Sequence, residues 1–514
     1  MNGAESLVHT LVAGGVEVCF ANPGTSEMHF VAALDRIPGI RCVPGMQENV
    51  VTGMADGYFR VARKPAVTLL HCGPGLANGL ANLHNARRAR SGILNIIGDQ
   101  ATYHAGFDPP LAADTAGLAR TVSGWVRTSA AAAHVGRDAA VALQAARTAP
   151  GEIASLILPS DASWNEGGVV AAPLPVPAPP AVDAHAVTTA AKVLREKRNV
   201  LLLLGGNALM AGAQVHAARI QARTGCRVMA ESINGFHQRG VGRLALARVP
   251  YGAPQAIEAL KDVAEIVLVN ARVPVGFFAY PGLPSLHAPE AAGVTQLSRV
   301  EHNAEEALAR LADALGCGPA PAAQAAGGKV DIPGTGPIDS EGIGHMLAAV
   351  LPEGAIVADE GISLGWALFP TTYDAPPHDW MMVTGGAIGY GMPCATGAAM
   401  AGGGRRVINM QADGSAMYTL QALWTQARER LPVTTVILSN RKYQILIGEY
   451  AGVGANPGPT AMNMLDLGNP DLDWVRLAQG MGVEAARAET LKDCAALMLR
   501  SFKSAQPFLI ELVV

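Results

Sequence analysis

The sequence predicts an α/β protein of three domains, each a parallel β-sheet flanked by helices. Three observations lead to this class. The chain has 514 residues, and about 150 residues is usual for one domain. Hydrophobic residues make up 50% of it, which is enough for several buried cores. Short apolar runs alternate with amphipathic stretches along the whole length, as expected for parallel sheets covered on both faces.

Two stretches rich in Pro, Gly and Ala divide the chain, residues 171–184 and 318–337. They lack periodic apolar positions and therefore predict linkers. We predict domains over residues 1–170, 185–317 and 338–514. The apolar runs predict strands at residues 16–20, 66–71 and 93–98, then 199–204, 226–230 and 266–269, and finally 356–359, 406–411 and 434–439.

Composition excludes several classes of protein. The net charge of −4 offers no basic surface, so we expect no nucleic-acid partner. No apolar stretch reaches the roughly 18 residues of a membrane helix, so we expect no membrane span. The 7 cysteines form no CxxC pair, which argues against a zinc site or a disulfide framework. The first Lys or Arg is Arg36, too late for the charged head of a secretory signal, and we expect a cytoplasmic protein.

Polar residues follow two consecutive strands of the last domain. Asp413 comes after the strand at 406–411 and Asn440 after the strand at 434–439, with a helix expected between them from Met417, Leu420, Leu423, Trp424 and Ala427. Strands of one βαβ unit run parallel, so both side chains should reach the same edge of the sheet. Their oxygens suit Mg²⁺. Taken singly, Asp413 could instead cap the helix and Asn440 could form a turn.

The residues next to Asp413 suit an anion. Gly414 and Ser415 open the following helix, whose N–H groups favour a diphosphate. An Asp-Gly pair, a helix and an Asn about 27 residues later resemble the diphosphate–magnesium motif of thiamine-diphosphate enzymes. That family usually has Gly-Asp-Gly and Asn-Asn, whereas Ala412 and Ser439 stand at the flanking positions here. The resemblance implies thiamine diphosphate and Mg²⁺ as cofactors, with the metal held by Asp413, Asn440 and the Lys442 carbonyl.

The first domain contains a segment that is similar to the one carrying this family's activating glutamate. It runs from Gly45 through Glu48 to Ala55-Asp56-Gly57-Tyr58. The resemblance implies that the Glu48 carboxyl shares a proton with the pyrimidine ring of the cofactor, a general acid–base role. The alternative is that Glu48 is only a helix N-terminal charge. The matching metal motif in the last domain favours the first interpretation.

Three further segments resemble the family. Asn22-Pro23-Gly24-Thr25 follows the first strand, and Thr25 would bind the substrate carboxylate. His71 ends a strand before Gly73-Pro74-Gly75, and imidazole suits proton transfer near neutral pH. The loop from Gly385 to Pro393 resembles the one that bends the cofactor, with Ile388 pressing under it. By the same resemblance Ser363 and Gly386 also bind the cofactor.

The resemblance spans the chain and implies pyrimidine-binding, central and diphosphate-binding domains in that order. It implies decarboxylation, carboligation or both on a small 2-oxo acid, as in acetolactate synthase and benzoylformate decarboxylase. Ala279 stands where the benzoylformate decarboxylase branch has a second histidine, and Glu449 has no assigned role. The synthase branch usually carries FAD, and Gly205-Gly206 after a strand could approach a nucleotide, but so could any tight turn. FAD is therefore kept as a weaker alternative.

Two other functions stay open. One is a lyase or decarboxylase of the same superfamily that acts on acyl-CoA. The other is a catalytically silent paralogue acting as a binding subunit, although Glu48, Asp413 and Asn440 are all present. In the resembled family the first domain of one chain faces the last domain of its partner, so we expect a homodimer or homotetramer with the cofactor at the subunit interface.

Overall fold

The computed structural model describes residues 1–320 and 337–514. In its first part, a six-stranded parallel sheet has the order β2-β1-β3-β4-β6-β5. The chain leaves β1 toward one side and returns in β3 on the other, which opens a crevice between the loops that follow these two strands. The elements are α1 Gly3–Ala13, β1 Val18–Asn22, α2 Met28–Arg36, β2 Arg41–Pro44, α3 Glu48–Ala62, β3 Ala66–Leu70, α4 Cys72–Ala89, β4 Ile93–Asp99, α5 Thr115–Arg120, β5 Trp125–Thr128, α6 Ala132–Arg147, β6 Ile153–Pro159 and α7 Ser160–Trp164.

The middle part contains a four-stranded parallel sheet in the order β11-β10-β7-β8. One strand of this part, β9, lies outside that sheet. The elements are α8 Ala184–Glu196, β7 Val200–Leu204, α9 Ala211–Thr224, β8 Arg227–Ala230, β9 His237–Arg239, α10 Ala253–Leu260, β10 Glu265–Val269, β11 Gly293–Ser298 and α11 Ala304–Ala314.

The last part contains a sheet in the order β16-β17-β15-β14-β12-β13-β9. It is parallel except at its edge, where β9 from the middle part pairs antiparallel with β13. The elements are α12 Ser340–Val350, β12 Ile356–Glu360, α13 Leu368–Thr371, β13 His378–Met382, α14 Gly391–Ala401, β14 Val407–Ala412, α15 Asp413–Ala416, α16 Ala422–Glu429, β15 Val433–Ser439, α17 Gln444–Gly452, α18 Pro459–Leu465, α19 Trp474–Gly480, β16 Glu484–Ala488, α20 Leu491–Ser501 and β17 Phe508–Val513.

The predicted class of three parallel sheets flanked by helices is confirmed, and every predicted strand exists to within two residues at each end. The single helix predicted after Asp413 is wrong. The chain forms α15 and α16 instead, joined by turns that carry i→i+3 backbone hydrogen bonds. The hydroxyl of Thr419 donates to the Gly389 carbonyl from these turns, so a tertiary contact overrides the helical pattern.

The predicted domain boundaries stay a prediction. Residues 171–183 have no regular secondary structure and are mostly exposed, as a linker would be. Most of the second predicted linker, 318–337, lies outside the described residues. Among the described residues, no helix is long and apolar enough to cross a bilayer.

The first and last parts pack closely through α3 and α14. A Cβ added at Gly57 would lie 2.0 Å from the Cys394 carbonyl oxygen, and one added at Gly397 would lie 1.8 Å from that of Met54. Only glycine allows the two backbones to approach this far. The Glu48 helix and the helix after the Ile388 loop are therefore held in fixed relation.

Candidate active site

A cleft opens at the carboxyl ends of β12, β14 and β15. The sheet order reverses between β12 and β14, because the chain goes from β12 to β13 on one side and then to β14 on the other. Ligands of open α/β sheets bind at such a switch point. The lining residues all belong to the last part of the chain: 361–364, 388, 412–415, 438, 440 and 442–445.

Asp413 lies buried at the end of β14. Its Oδ1 accepts from the Gly414 N–H at 2.8 Å, and its Oδ2 accepts from the Arg441 N–H at 2.6 Å. Burial raises the pKa of Asp413, and these backbone hydrogen bonds oppose the shift. The carboxylate thus joins the two strand-end loops, and a carboxylate oxygen keeps lone pairs for a further partner.

Asn440 comes directly after β15, which pairs in parallel with β14 as predicted. Its Oδ1 accepts from the Lys442 N–H at 3.2 Å, and Arg441 between them adopts a left-handed conformation with φ 57°. This tight turn places an amide oxygen and the Lys442 backbone beside Asp413. The three residues predicted to bind the metal, Asp413, Asn440 and Lys442, therefore line the same cleft, and their oxygens are of the hard kind that Mg²⁺ prefers.

Ile388 and Ser363 line the same cleft, whereas Gly386 lies beside it on the Ile388 loop. Glu360, which the sequence analysis missed, holds this loop. Its fully buried carboxylate accepts from the backbone N–H groups of Gly389, Tyr390 and Gly391 at 2.9, 3.2 and 2.7 Å, and from Gln411 Nε2 at 2.8 Å. Burial raises the pKa of Glu360, and these donors oppose the shift.

A second cluster lies in the first part, at the switch point between β1 and β3. His71, at the end of β3, has its Nδ1 2.9 Å from Oε2 of Glu27 and 3.2 Å from the Ser26 hydroxyl. Glu27 is 2% exposed and also accepts from the Gly24 N–H at 2.7 Å. A carboxylate partner at Nδ1 favours the tautomer with its proton there, which leaves Nε2 as the basic atom.

Ser26 and Glu27 were not predicted, although an acidic residue three positions after Gly24, in the loop that follows β1, was a usable signal. Their neighbour Cys72 lies 3.1 Å from the Ser26 hydroxyl. Ligand atoms of Glu27, His71 and Cys72 lie within 4.8 Å of one another, a spacing that could hold a metal. Burial raises the pKa of the Cys72 thiol to about 11, which disfavours the thiolate form that binds metals.

Glu48 is the first residue of α3 and is half-buried. Its Oε2 accepts from Asn78 Nδ2 at 3.1 Å. A Cβ added at Gly75 would lie 3.2 Å from Glu48 Oε1 and 3.3 Å from His71 Cβ, so both predicted catalytic side chains lie next to this glycine. Thr25 is exposed at the start of a short 3₁₀ helix next to Gly24, which itself packs against the His71 ring.

The structure locates Ala279 and the Gly205 turn, two positions that the sequence singled out. Ala279 is exposed, and the histidine nearby in the chain, His287, is 4% exposed and packs behind Gly276. Burial lowers the pKa of His287. At the Gly205 turn, an added Cβ would lie 2.5 Å from Oε2 of Glu231, and burial raises the pKa of this carboxyl to about 7. FAD keeps its place as the weaker alternative.

Two family models match this chain. The thiamine pyrophosphate enzyme N-terminal TPP binding domain matches residues 1–119, and the C-terminal TPP binding domain of the same enzymes matches residues 361–512. The first range contains Glu48 and His71, and the second contains the whole cleft.

Relatives of known name are similar over nearly the full length. A Mycobacterium tuberculosis protein, provisionally named acetolactate synthase large subunit IlvX, is 48% identical over 100% of this chain and 99% of its own. Benzoylformate decarboxylase of Pseudomonas aeruginosa is 28% identical over 97% and 96%. The solved structure of a thiamine diphosphate-dependent 4-hydroxybenzoylformate decarboxylase from Rhodococcus jostii superposes with a TM-score of 0.85 at 23% identity, covering 100% and 99% of the two chains.

Proposed function

We propose a function that starts from the family of the chain. The chain belongs to the thiamine pyrophosphate enzymes and is a thiamine-diphosphate-dependent enzyme related to acetolactate synthase and benzoylformate decarboxylase. The proposal is that it decarboxylates 2-oxo acids, joins the product to a second carbonyl compound, or does both, with Mg²⁺ as the metal. The cleft at the ends of β12, β14 and β15 is the observation that carries this proposal.

The cleft residues fit the cofactor. Asp413, Asn440 and the Lys442 carbonyl would hold Mg²⁺, because they bring oxygen donors of two strand ends to one place. Position 414 has room only for glycine, since a Cβ added there would lie 2.5 Å from the Tyr443 ring. Bound here, thiamine diphosphate would supply the electron sink that lets a 2-oxo acid lose CO₂. Ile388 would support it from a loop held by Glu360.

The first-part residues would handle protons and the substrate. Glu48 Oε1 accepts no hydrogen bond from the described residues and would share a proton with the pyrimidine ring. His71 would move a proton at Nε2, with Glu27 positioning the ring through Nδ1. Thr25, exposed beside the His71 ring, would donate to the substrate carboxylate.

A substrate screen tests the reaction class. Protein loaded with thiamine diphosphate and Mg²⁺ is offered pyruvate, 2-oxobutyrate, branched 2-oxo acids and benzoylformate, while CO₂ release and carboligation products are measured. We expect CO₂ from at least one 2-oxo acid at a rate that requires the cofactor. Turnover of acyl-CoA substrates alone, or no turnover by a protein that binds the cofactor, would contradict the proposal.

We propose that the functional unit is a homodimer or a larger assembly. The residues lining the cleft come only from the last part, whereas Glu48 and His71 lie in the first part. If the site is shared, Glu48→Gln and Asp413→Ala are each inactive for different reasons, and a mixture of the two should regain activity after subunit exchange. A heterodimer would contain one intact site of two, so recovery approaches a quarter of wild type in an equimolar mixture.

Labelled subunits verify that exchange has occurred. Asp413→Ala alone should show strongly weakened binding of thiamine diphosphate with Mg²⁺ by calorimetry, because a metal ligand is lost. Proven exchange without any recovery would place the whole site within one chain.

A further inference from the structure

One contact joins the middle part to the last part beside the cleft. The hydroxyl of Tyr280 donates to Oε2 of Glu449, a half-buried residue of α17, at 2.9 Å. Gly452, one turn further along α17, packs on the Tyr280 ring, since a Cβ added there would lie 3.2 Å from Cε1. Neither the metal-binding residues nor the His71 cluster uses this pair.

The pair lies at the cleft rather than away from it. α17 begins directly after the turn that contains Asn440 and Lys442, and its residues Gln444 and Ile445 line the cleft. Glu449 is four residues after Ile445, so both side chains lie on the same face of the helix. The carboxylate is therefore one helical turn outward from the cofactor end of the cleft.

Aromatic rings continue from this pair along the rim. Phe277 packs on Gly386, in the loop that presents Ile388. The ring centroid of Tyr251 lies 5.3 Å from that of Phe277 and 5.0 Å from that of Trp366, which closely follows the lining residues 361–364. Phe278 contacts Phe277 at 5.0 Å. Of these rings, Phe277, Phe278 and Trp366 are 40%, 60% and 45% exposed.

Glu449 adds a negative charge to this rim. Among the described residues, Glu449 forms no ion pair with Lys, Arg or His, and its hydrogen-bond partner is the neutral Tyr280. Aromatic faces attract cations, and a carboxylate beside them adds a charge–charge term. A half-buried carboxylate among exposed rings is suited to bind a cation and repels an anion.

We infer that Glu449, Tyr280 and the adjacent rings form a specificity subsite for 2-oxo acids with an apolar body and a cationic far end, such as an ammonium or guanidinium. This inference rests on the proposed function, because the reacting carbonyl must lie at the cofactor end of the cleft. Such a subsite would disfavour dicarboxylic 2-oxo acids and polyanionic acyl-CoA, because Glu449 would repel their negative charges.

Three matched substrates test the subsite: benzoylformates that carry a 4-aminomethyl, a 4-methyl or a 4-carboxy group. The measured quantity is the ratio of kcat/KM between the cationic and the neutral compound. The ratio should exceed one in the wild type and fall about 10-fold in Glu449→Gln, which removes the charge but keeps an acceptor for Tyr280. Tyr280→Phe should shift it less, because the carboxylate remains. Glu353→Gln is the matched control. This exposed residue precedes β12, at the amino ends of the strands and away from the cleft, so its replacement should leave the ratio unchanged.

The outcomes separate this inference from the proposed function. A ratio that Glu449→Gln leaves within twofold of wild type overturns the inference, as does wild-type use of the carboxy compound as good as that of the aminomethyl compound. If no 2-oxo acid is turned over, the proposed function fails, and calorimetric binding of the three compounds to the cofactor-loaded protein then decides. Equal affinities overturn the inference, and tighter binding of the aminomethyl compound that Glu449→Gln abolishes supports it.

Discussion

Replacement of Glu48 by Gln is expected to lower turnover at least about 100-fold while cofactor binding persists, because positioned proton transfer contributes roughly 10² to 10⁴ in rate. The diphosphate and metal would still bind at Asp413 and Asn440. The amide keeps the shape of the side chain and the hydrogen bond with Asn78, so only the shared proton is lost. Steady-state CO₂ release and calorimetry with thiamine diphosphate measure the two effects separately.

A matched variant distinguishes catalysis from helix electrostatics. Glu5 also lies in the first turn of a helix, α1, and Glu5→Gln removes the same charge from a helix start. If Glu48 only complements the helix dipole, both substitutions would cost about 0.3–1 kcal/mol of stability and leave turnover intact. More than a tenth of the wild-type rate in Glu48→Gln would refute its assignment.

Arg60→Met is expected to lower the free energy of unfolding by about 3–5 kcal/mol, because it leaves the buried carboxylate of Asp56 without its partner. Arg60 is 2% exposed, and its Nε and Nη2 donate to the two carboxylate oxygens of Asp56 at 2.8 and 2.6 Å. Its Nη1 donates to the Gly235 carbonyl, the Met382 carbonyl and the Tyr390 hydroxyl, so one side chain joins all three parts of the chain. Urea unfolding followed by circular dichroism measures the loss.

Two companions make this result interpretable. Arg36→Met breaks an ion pair with Glu5 in which the Arg side chain is 60% exposed, and it should cost at most about 1 kcal/mol. Adding Asp56→Leu to Arg60→Met should recover part of the loss, since no unpaired charge then remains buried. A loss in Arg60→Met no greater than that in Arg36→Met would mean that solvent reaches Asp56 readily.

Sequence pattern predicted the fold where local signals dominate. Runs such as Leu201–Leu204 mark buried strands, and Asp413 and Asn440 each follow such a run, so their meeting at one sheet edge could be predicted from strand order alone. The strand His237–Arg239 could not, because its residues are polar and its partner β13 is about 140 positions away. The break between α15 and α16 likewise depends on Thr419 reaching the Gly389 carbonyl.

The same limit applies to the site. His71 could be chosen from its chemistry and its place after a strand, but its partner Glu27 lies 44 positions earlier, and only the order of β1 and β3 brings them together. Glu360 could not be identified from the sequence for a similar reason, since it binds backbone N–H groups that almost any residue could supply. Single-sequence reasoning finds residue types at strand ends, and it misses groups defined by three-dimensional pairing.

The middle part contributes β9 to the seven-stranded sheet of the last part, and this limits which segments can be exchanged between related proteins. A crossover at the second linker would leave β13 with unpaired N–H and C=O groups along its outer side, and open sheet edges recruit other chains. Chimeras joined there would tend to aggregate unless the incoming middle part also supplied a three-residue strand in the register that pairs Arg239 with His378. Recombination that preserves solubility would instead keep β9 and the last sheet from the same parent, with the crossover placed between β8 and β9.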